Sequence, residues 1–184
     1  YTKVEANTGL ISRCVPGKKE NGAIFNHASS WFVLASIVAG DVDSAVNIYK
    51  SMLPANSAER SDIYEVEPYV FAEYVTSPEH PSEGQASHSW LTGTAVWMLR
   101  IGMDNIAGFK PQFTGMEISP ALPSFWNSFK ASRVFRGCRL YLNVIRLSSD
   151  AKKGLYIGDK KVEQNFLSEE LIKANRTLQL NFFI

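Results

Sequence analysis

The chain has 184 residues and a formal net charge of +1, with 19 Lys plus Arg against 18 Asp plus Glu. That length suits one sizeable domain or two small ones, and the 45% hydrophobic and 20% charged content is globular rather than disordered. The balanced charge offers no basic surface for a phosphate backbone, so nucleic acid is not an expected partner.

The first 23 residues lack a clean period. Pro16-Gly17 and Asn21-Gly22 mark turns, and a start at Tyr1 without Met suggests a piece of a longer chain. From Ala28 the pattern turns helical. Ser29 or Ser30 is the expected cap of a helix running through Ala39, with Gly40 as its stop. This helix holds the longest apolar stretch, Trp31 to Gly40, which falls short of the roughly 20 residues a membrane span needs. Asp41 or Asp43 opens a second helix with Val42, Ala45, Val46, Tyr49 and Leu53 on one face and Pro54 as terminator. A short helix with Pro68 in its first turn is expected within Tyr64 to Thr76. A third helical pattern runs from about Thr92 to Ala107, with a stripe of Ala95, Met98, Leu99, Gly102, Met103 and Ile106 and an i, i+4 pair of Arg100 and Asp104.

Beyond Lys110 the period changes to two. Met116 to Ser119, Phe129 to Phe135, Leu140 to Ile145 and Leu178 to Ile184 alternate as strands, and Gly158-Asp159 joins Leu155-Tyr156-Ile157 to Lys160-Lys161-Val162 as a tight hairpin. Helices first and strands afterwards predict an α+β fold with segregated parts.

Cys14 and Cys138 form no Cys-x-x-Cys pair or disulfide framework, and His27, His80 and His88 do not stand at zinc spacing. No metal is expected, and a reduced cytoplasmic setting is the default. The 11 Phe, 4 Trp and 7 Tyr suit either a large core or a surface on which sugar rings stack.

Three clusters carry candidate chemistry. Lys18 to His27 leads polar residues into the first helix, placing His27 near its N-terminus, where unpaired N–H groups attract an anion. Ser87 to Ala95 surrounds Gly93 with hydroxyl residues ahead of the third helix, a pattern that ordinary capping also explains. Glu65, Glu67 and Glu73 alternate with Tyr64, Tyr69, Phe71 and Tyr74, which reads equally as a sugar site or as a solvated face over a core. Two helix starts together could cradle one phosphate.

Three segments in order, Cys14-Val15-Pro16-Gly17-Lys18-Lys19-Glu20-Asn21-Gly22-Ala23-Ile24-Phe25-Asn26-His27, Glu67-Pro68-Tyr69-Val70 and Trp90-Leu91-Thr92-Gly93-Thr94-Ala95, resemble the inverting disaccharide phosphorylases of glycoside hydrolase family 94. Phe135-Arg136-Gly137 fits the same family. The resemblance implies that residues 1–110 are the last helices of an (α/α)6 barrel and 111–184 a small antiparallel β-sandwich, the carboxyl-terminal part of a longer cytoplasmic, homodimeric enzyme. It implies phosphorolysis of a β-linked gluco-oligosaccharide to α-glucose 1-phosphate, with inorganic phosphate as substrate and no metal or organic cofactor. It implies phosphate contacts from His27, Thr92 and Gly93, and contacts to the acceptor-side sugar from Lys19 and Glu20. Glu73 matches a phosphate-proximal position where relatives often carry Gln, and a carboxylate there would repel the anion. Cys14 stands where cellobiose-specific members carry an aromatic, which points to longer cellodextrins. The family's general acid, an Asp, lies upstream of this segment, so the chain alone is expected to be inactive. The alternatives are a phosphorylase of chitobiose or laminaribiose, the phosphorylase-like module of a cyclic glucan synthase, a non-catalytic carbohydrate-binding module and a purely structural tail.

Overall fold

Two helices occupy residues 26–51, close to where the apolar period places them. In the computed structural model, which describes residues 2, 3, 5, 7–148 and 152–184, α1 spans Asn26–Val38 and α2 spans Val42–Ser51. α1 begins before the expected serine cap. The Ser29 hydroxyl donates to the Phe25 carbonyl at 2.9 Å and the Ser30 hydroxyl to the His27 carbonyl at 2.6 Å, so both bond back into the preceding turn instead of capping. The stop at Gly40 holds, with φ +86°. At α2 the Asp41 carboxylate accepts from the Ser44 amide at 3.2 Å as an N-cap, and Pro54 opens a 3-10 helix, Pro54–Arg60.

α3 spans only Ser61–Tyr64, and the helix expected within Tyr64 to Thr76 does not form. Pro68 sits instead in a turn closed by the Val70 amide donating to the Glu67 carbonyl at 3.1 Å. Its fixed φ suits the second position of a turn as well as a helix start. Three two-residue strands, β1 (Ile24–Phe25), β2 (Tyr74–Val75) and β3 (Ala86–Ser87), make an antiparallel sheet with β2 in the middle.

α4 (Thr94–Arg100) runs into a π-helical segment, Ile101–Ile106, in which the Ala107 amide donates to the Gly102 carbonyl five residues back. The buried face of α4 is Thr94 and Met98, and Ile101 continues it at the i, i+4, i+7 spacing of an ordinary helix, one residue round from the expected stripe. Leu99 of the expected stripe is 65% exposed, while Ile101, outside that stripe, is fully buried. Arg100 and Asp104 do pair, at 3.4 Å.

The chain divides into two compact units, Tyr1–Ala35 with Asn47–Leu99, and Ser36–Val46 with Arg100–Ile184. The second holds two sheets. β4 (Phe109–Gln112), β5 (Gly115–Ile118) and β10 (Phe166–Ser168) form one in the order β10-β5-β4. β6 (Ser128–Phe135), β7 (Cys138–Ile145), β8 (Gly154–Ile157), β9 (Lys160–Lys161) and β11 (Thr177–Phe183) form the other in the order β6-β7-β11-β8-β9. Alternate residues of both sheets, among them Phe109, Met116, Leu140, Leu142, Leu167 and Leu180, share one buried cluster with Ile172 of α5 (Glu169–Lys173). The mixed α+β class is as expected. Wholly antiparallel pairing is not: β11 lies parallel to β7, because the chain passes through β10 and α5 before returning, a crossover long enough to reverse direction.

Within this unit the Ser124 amide donates to Asp43 at 2.6 Å and the Ser124 hydroxyl donates to the same carboxylate. Those bonds, the hydroxyl's first, hold the Asp43 carboxyl below the usual aspartate value. A depressed folded pKa gives stability that is present above the unfolded pKa and lost as pH falls through the folded one. Acid unfolding between roughly pH 5 and 2 is therefore expected to be shallower for Asp43→Asn than for the parent. Superimposable pH slopes would remove Asp43 as a contributor.

Candidate functional site

The segment ahead of α1 folds as a tight turn. The Gly17 amide donates to the Asn21 carbonyl at 2.8 Å, the Asn21 amide to the Lys18 carbonyl at 3.1 Å, and the Ala23 amide to the Lys19 carbonyl at 3.1 Å. Lys19 and Glu20 sit inside this turn, and Lys19 takes a φ of +48°. Gly17 is required there: its φ is +79°, and a Cβ would lie 2.6 Å from the His80 amide nitrogen. Cys14 flanks the turn. Its Sγ lies 3.8 Å from a Glu20 carboxylate oxygen, and its carbonyl accepts from the Asn21 side chain at 2.8 Å.

From that turn Lys19 reaches across to β2. Its Nζ lies 2.7 Å from Oε2 of Glu73 and 4.9 Å from the centre of the Tyr74 ring. The hydrogen bond to Glu73 raises the Lys19 pKa, so this ammonium stays charged well past neutrality. His88 approaches the same carboxylate, Nδ1 to Oε2 at 3.3 Å. The Glu73 backbone is held too: its amide donates to the carbonyls of Ser87 and His88, and its carbonyl accepts from the Asn26 amide at 3.1 Å. Glu73 is thus fixed at the entrance to α1 with a cation beside it, and the repulsion expected between this carboxylate and a bound anion is opposed by Lys19.

His27 is the second residue of α1. Its ring stacks obliquely on Trp31 at 4.8 Å, and its Nε2 is buried without a hydrogen-bond partner among the described residues. A polar nitrogen left so is costly, by about 1–3 kcal/mol, unless a ligand or water meets it. Gly93 is its neighbour. A Cβ at Gly93 would stand 3.5 Å from Cε1 and 3.6 Å from Nε2 of His27, so the imidazole lies close over the Gly93 backbone with room for no more than a methyl between them. Thr92 precedes Gly93, its hydroxyl 2.6 Å from that of Thr94 at the start of α4. The structure therefore brings His27 and Gly93 together, with Thr92 next to Gly93 in the chain, and separately pairs Lys19 with Glu73; the rings of Phe25 and Tyr74 lie 5.6 Å apart on the paired strands β1 and β2. Cys14 and Glu20 remain on the turn.

The approach to Gly93 carries strain. His88 and Trp90 have φ of +56° and +62°, conformations costing about 1–2 kcal/mol each for residues with a Cβ. The Trp90 indole donates to Glu67 at 3.1 Å, and hydrogen bonds to the Glu67 backbone, Ser89 and Trp90 hold the Glu67 carboxyl below its usual value. His88 as a partner of Glu73 is the addition that sequence reading missed. Its only sequence signal is its place in the hydroxyl-rich run before Gly93.

Residues 1–108 match the glycosyl hydrolase 94 superfamily catalytic domain. The chain belongs to that superfamily. The matched stretch contains every residue of the site, from Cys14 to Gly93. The chain is 35% identical over 155 residues to solabiose phosphorylase of Paenibacillus borealis, covering 84% of this chain and 20% of that protein. It is 34% identical over 136 residues to N,N'-diacetylchitobiose phosphorylase of Vibrio proteolyticus, covering 74% and 17%. With cellobionic acid phosphorylase of Neurospora crassa it shares 30% over 152 residues, covering 79% and 19%. The chain thus spans about a fifth of the length of these family 94 phosphorylases. Among the described residues no helix is long and apolar enough to cross a membrane.

Proposed function

We propose that this chain supplies the phosphate pocket and part of the acceptor-sugar site of an inverting β-glycoside phosphorylase. The observation that carries the reading is the buried Nε2 of His27, without a hydrogen-bond partner among the described residues and close beside Gly93. Phosphate bound there receives a hydrogen bond from His27 and the Thr92 hydroxyl, with the Gly93 backbone close by. A carboxylic acid contributed from outside this chain protonates the leaving glycosidic oxygen while a phosphate oxygen attacks the anomeric carbon from the opposite face. The C–O bond to the leaving sugar breaks as the new one forms, giving α-glucose 1-phosphate with inversion. Lys19, Glu20 and Cys14 border the acceptor sugar. Phosphate is the co-substrate, and no metal or organic cofactor takes part.

In this reading residues 1–110 are the last helices of an (α/α)6 barrel and 111–184 a carboxyl-terminal β-sandwich of a cytoplasmic, homodimeric enzyme. The exposed Trp31 and Phe32 on α1 and Val96 and Leu99 on α4 support it, since barrel helices carry apolar faces for neighbouring helices. The common core of the two sheets supports the second half.

The substrate proposed is a cellodextrin, because the small, half-buried Cys14 leaves room on the acceptor side. The relatives named for solabiose and N,N'-diacetylchitobiose favour a second reading in which another disaccharide is cleaved. The full-length enzyme should release glucose 1-phosphate from cellotriose faster than from cellobiose, and only when phosphate is present. Preference for chitobiose or laminaribiose would replace the cellodextrin assignment, and phosphate-independent cleavage would overturn phosphorolysis itself.

A further inference from the structure

The outward face of the five-stranded sheet carries a row of side chains that neither the core nor the phosphate pocket uses. Pair register fixes which residues share that face. Lys130 of β6 lies beside Asn143 of β7, Asn143 beside Asn181 of β11, and Asn181 beside Tyr156 of β8, which in turn faces Lys161 of β9. One step along the strands, Tyr141 of β7 lies beside Gln179 of β11. Leu140, Leu142, Leu178 and Leu180, at the alternate positions, point into the core.

This composition is unusual for a solvated sheet. Asn is depleted in strands, where Thr or Val fits the pleat better, yet two Asn stand side by side on its central strands. The Asn143 amide donates to the Asn181 carbonyl oxygen at 3.3 Å, which leaves the second Asn143 proton, the Asn143 oxygen and the Asn181 NH2 directed at ligands or water. Around them lies a hollow of about 310 Å³ lined by Lys130, Tyr141, Asn143, Gln179 and Asn181. Tyr141 is 41% exposed. No carboxylate lines the hollow. Strands lie about 4.8 Å apart, so Tyr141 and Tyr156, two strands from each other, bracket about 10 Å of the face.

We propose that this face is a second carbohydrate-binding site, separate from the phosphate pocket, that takes a neutral linear oligosaccharide laid across the strands. The exposed Tyr141 ring offers a platform for the apolar face of a pyranose, the side-chain amides beside it offer donors and acceptors to its hydroxyls, and Tyr156, packed edge-on against Phe183 at 5.5 Å, bounds the row beyond the hollow. The hydrogen-bonding groups are neutral apart from the two lysines, so the complementary ligand carries hydroxyls instead of cationic groups. The site rests on the sheet register, the Asn143–Asn181 bond and the hollow around them. The choice of a β-linked glucan as probe rests on the proposed function.

Titration of the 15N-labelled chain with cellotetraose, without phosphate, tests it by NMR. The expected result is shifts concentrated at Asn143, Gln179 and Asn181, with affinity lowered about tenfold in Tyr141→Ala and unchanged in His27→Ala. Gln179→Ala, at an exposed position, serves as the second variant should Tyr141→Ala fail to fold. Absence of shifts, shifts centred on Lys19 and Glu20, or affinity undiminished in these sheet variants overturns the site. Loss of phosphorolysis in the full-length enzyme with these shifts intact would count against the proposed function and leave the sheet site standing.

Discussion

If the proposed phosphorolysis is right, replacing His27 with Ala in the full-length enzyme is expected to lower kcat/KM for phosphate by roughly 10- to 150-fold, the loss of one hydrogen bond to a charged group. KM for the sugar should stay close to the parent value, because the proposed sugar contacts lie on the turn at residues 14–20. Truncation of the ring also removes its contact with Trp31, so a modest fall in stability accompanies the kinetic change. Gly93→Ala separates the two effects. The new methyl would meet His27 at 3.5–3.6 Å and Trp97 at 3.8 Å, ordinary contact distances, so melting should be unchanged. That methyl nevertheless fills the space where a phosphate oxygen is proposed to sit. Comparable loss of phosphate turnover at unchanged melting temperature is the expected outcome. Parental kcat/KM for phosphate in Gly93→Ala would place the anion elsewhere.

Gly108→Ala is expected to have a large effect on stability. Gly108 has φ +80°, and a Cβ there would lie 2.2 Å from the Pro120 nitrogen and 2.3 Å from the Ser119 carbonyl carbon. Both are backbone atoms, and the Ser119 amide donates to the Gly108 carbonyl at 2.8 Å, so the neighbour cannot withdraw without breaking that bond. Left-handed strain and overpacking together cost roughly 2–5 kcal/mol, a fall in melting temperature on the order of 10 °C. Gly158→Ala supplies the comparison. Its φ is +58° but nothing lies within 4 Å of its Cβ, so only the conformational part, about 1–2 kcal/mol, applies. Equal melting temperatures for the two variants would show that the backbone at 119–120 yields.

The strands were legible because their alternation decides which side is buried. Phe129 to Phe135 and Leu140 to Ile145 appear within one or two residues of β6 and β7, and Gly158-Asp159 makes the turn between β8 and β9. Helix boundaries were less so. Serine next to an apolar run serves as a cap or bonds back to the turn before it, and composition does not distinguish the two. Proline at residue 68 poses the same ambiguity between a helix start and a turn. In α4 two apolar stripes compete, and the one through Thr94, Met98 and Ile101 is buried while Leu99 of the other is exposed, a choice that apolar content does not decide. At the site, local reasoning reached two helix starts with His27 and Gly93. The contact between them joins residues 66 positions apart, and the ion pair of Lys19 with Glu73 spans 54. Chain folding sets such pairings, and a single sequence does not encode them as a local signal.

The position of β11 carries a consequence for synthesis. It is the middle strand of its sheet and the last of the five to leave the ribosome. Until residues 177–183 emerge, β6–β7 and β8–β9 are two separate hairpins, each marginal by itself, with half of a shared core exposed. The unit should therefore acquire protease resistance in a single late step, after the helical residues have already been translated, and that interval is when chaperones would find it.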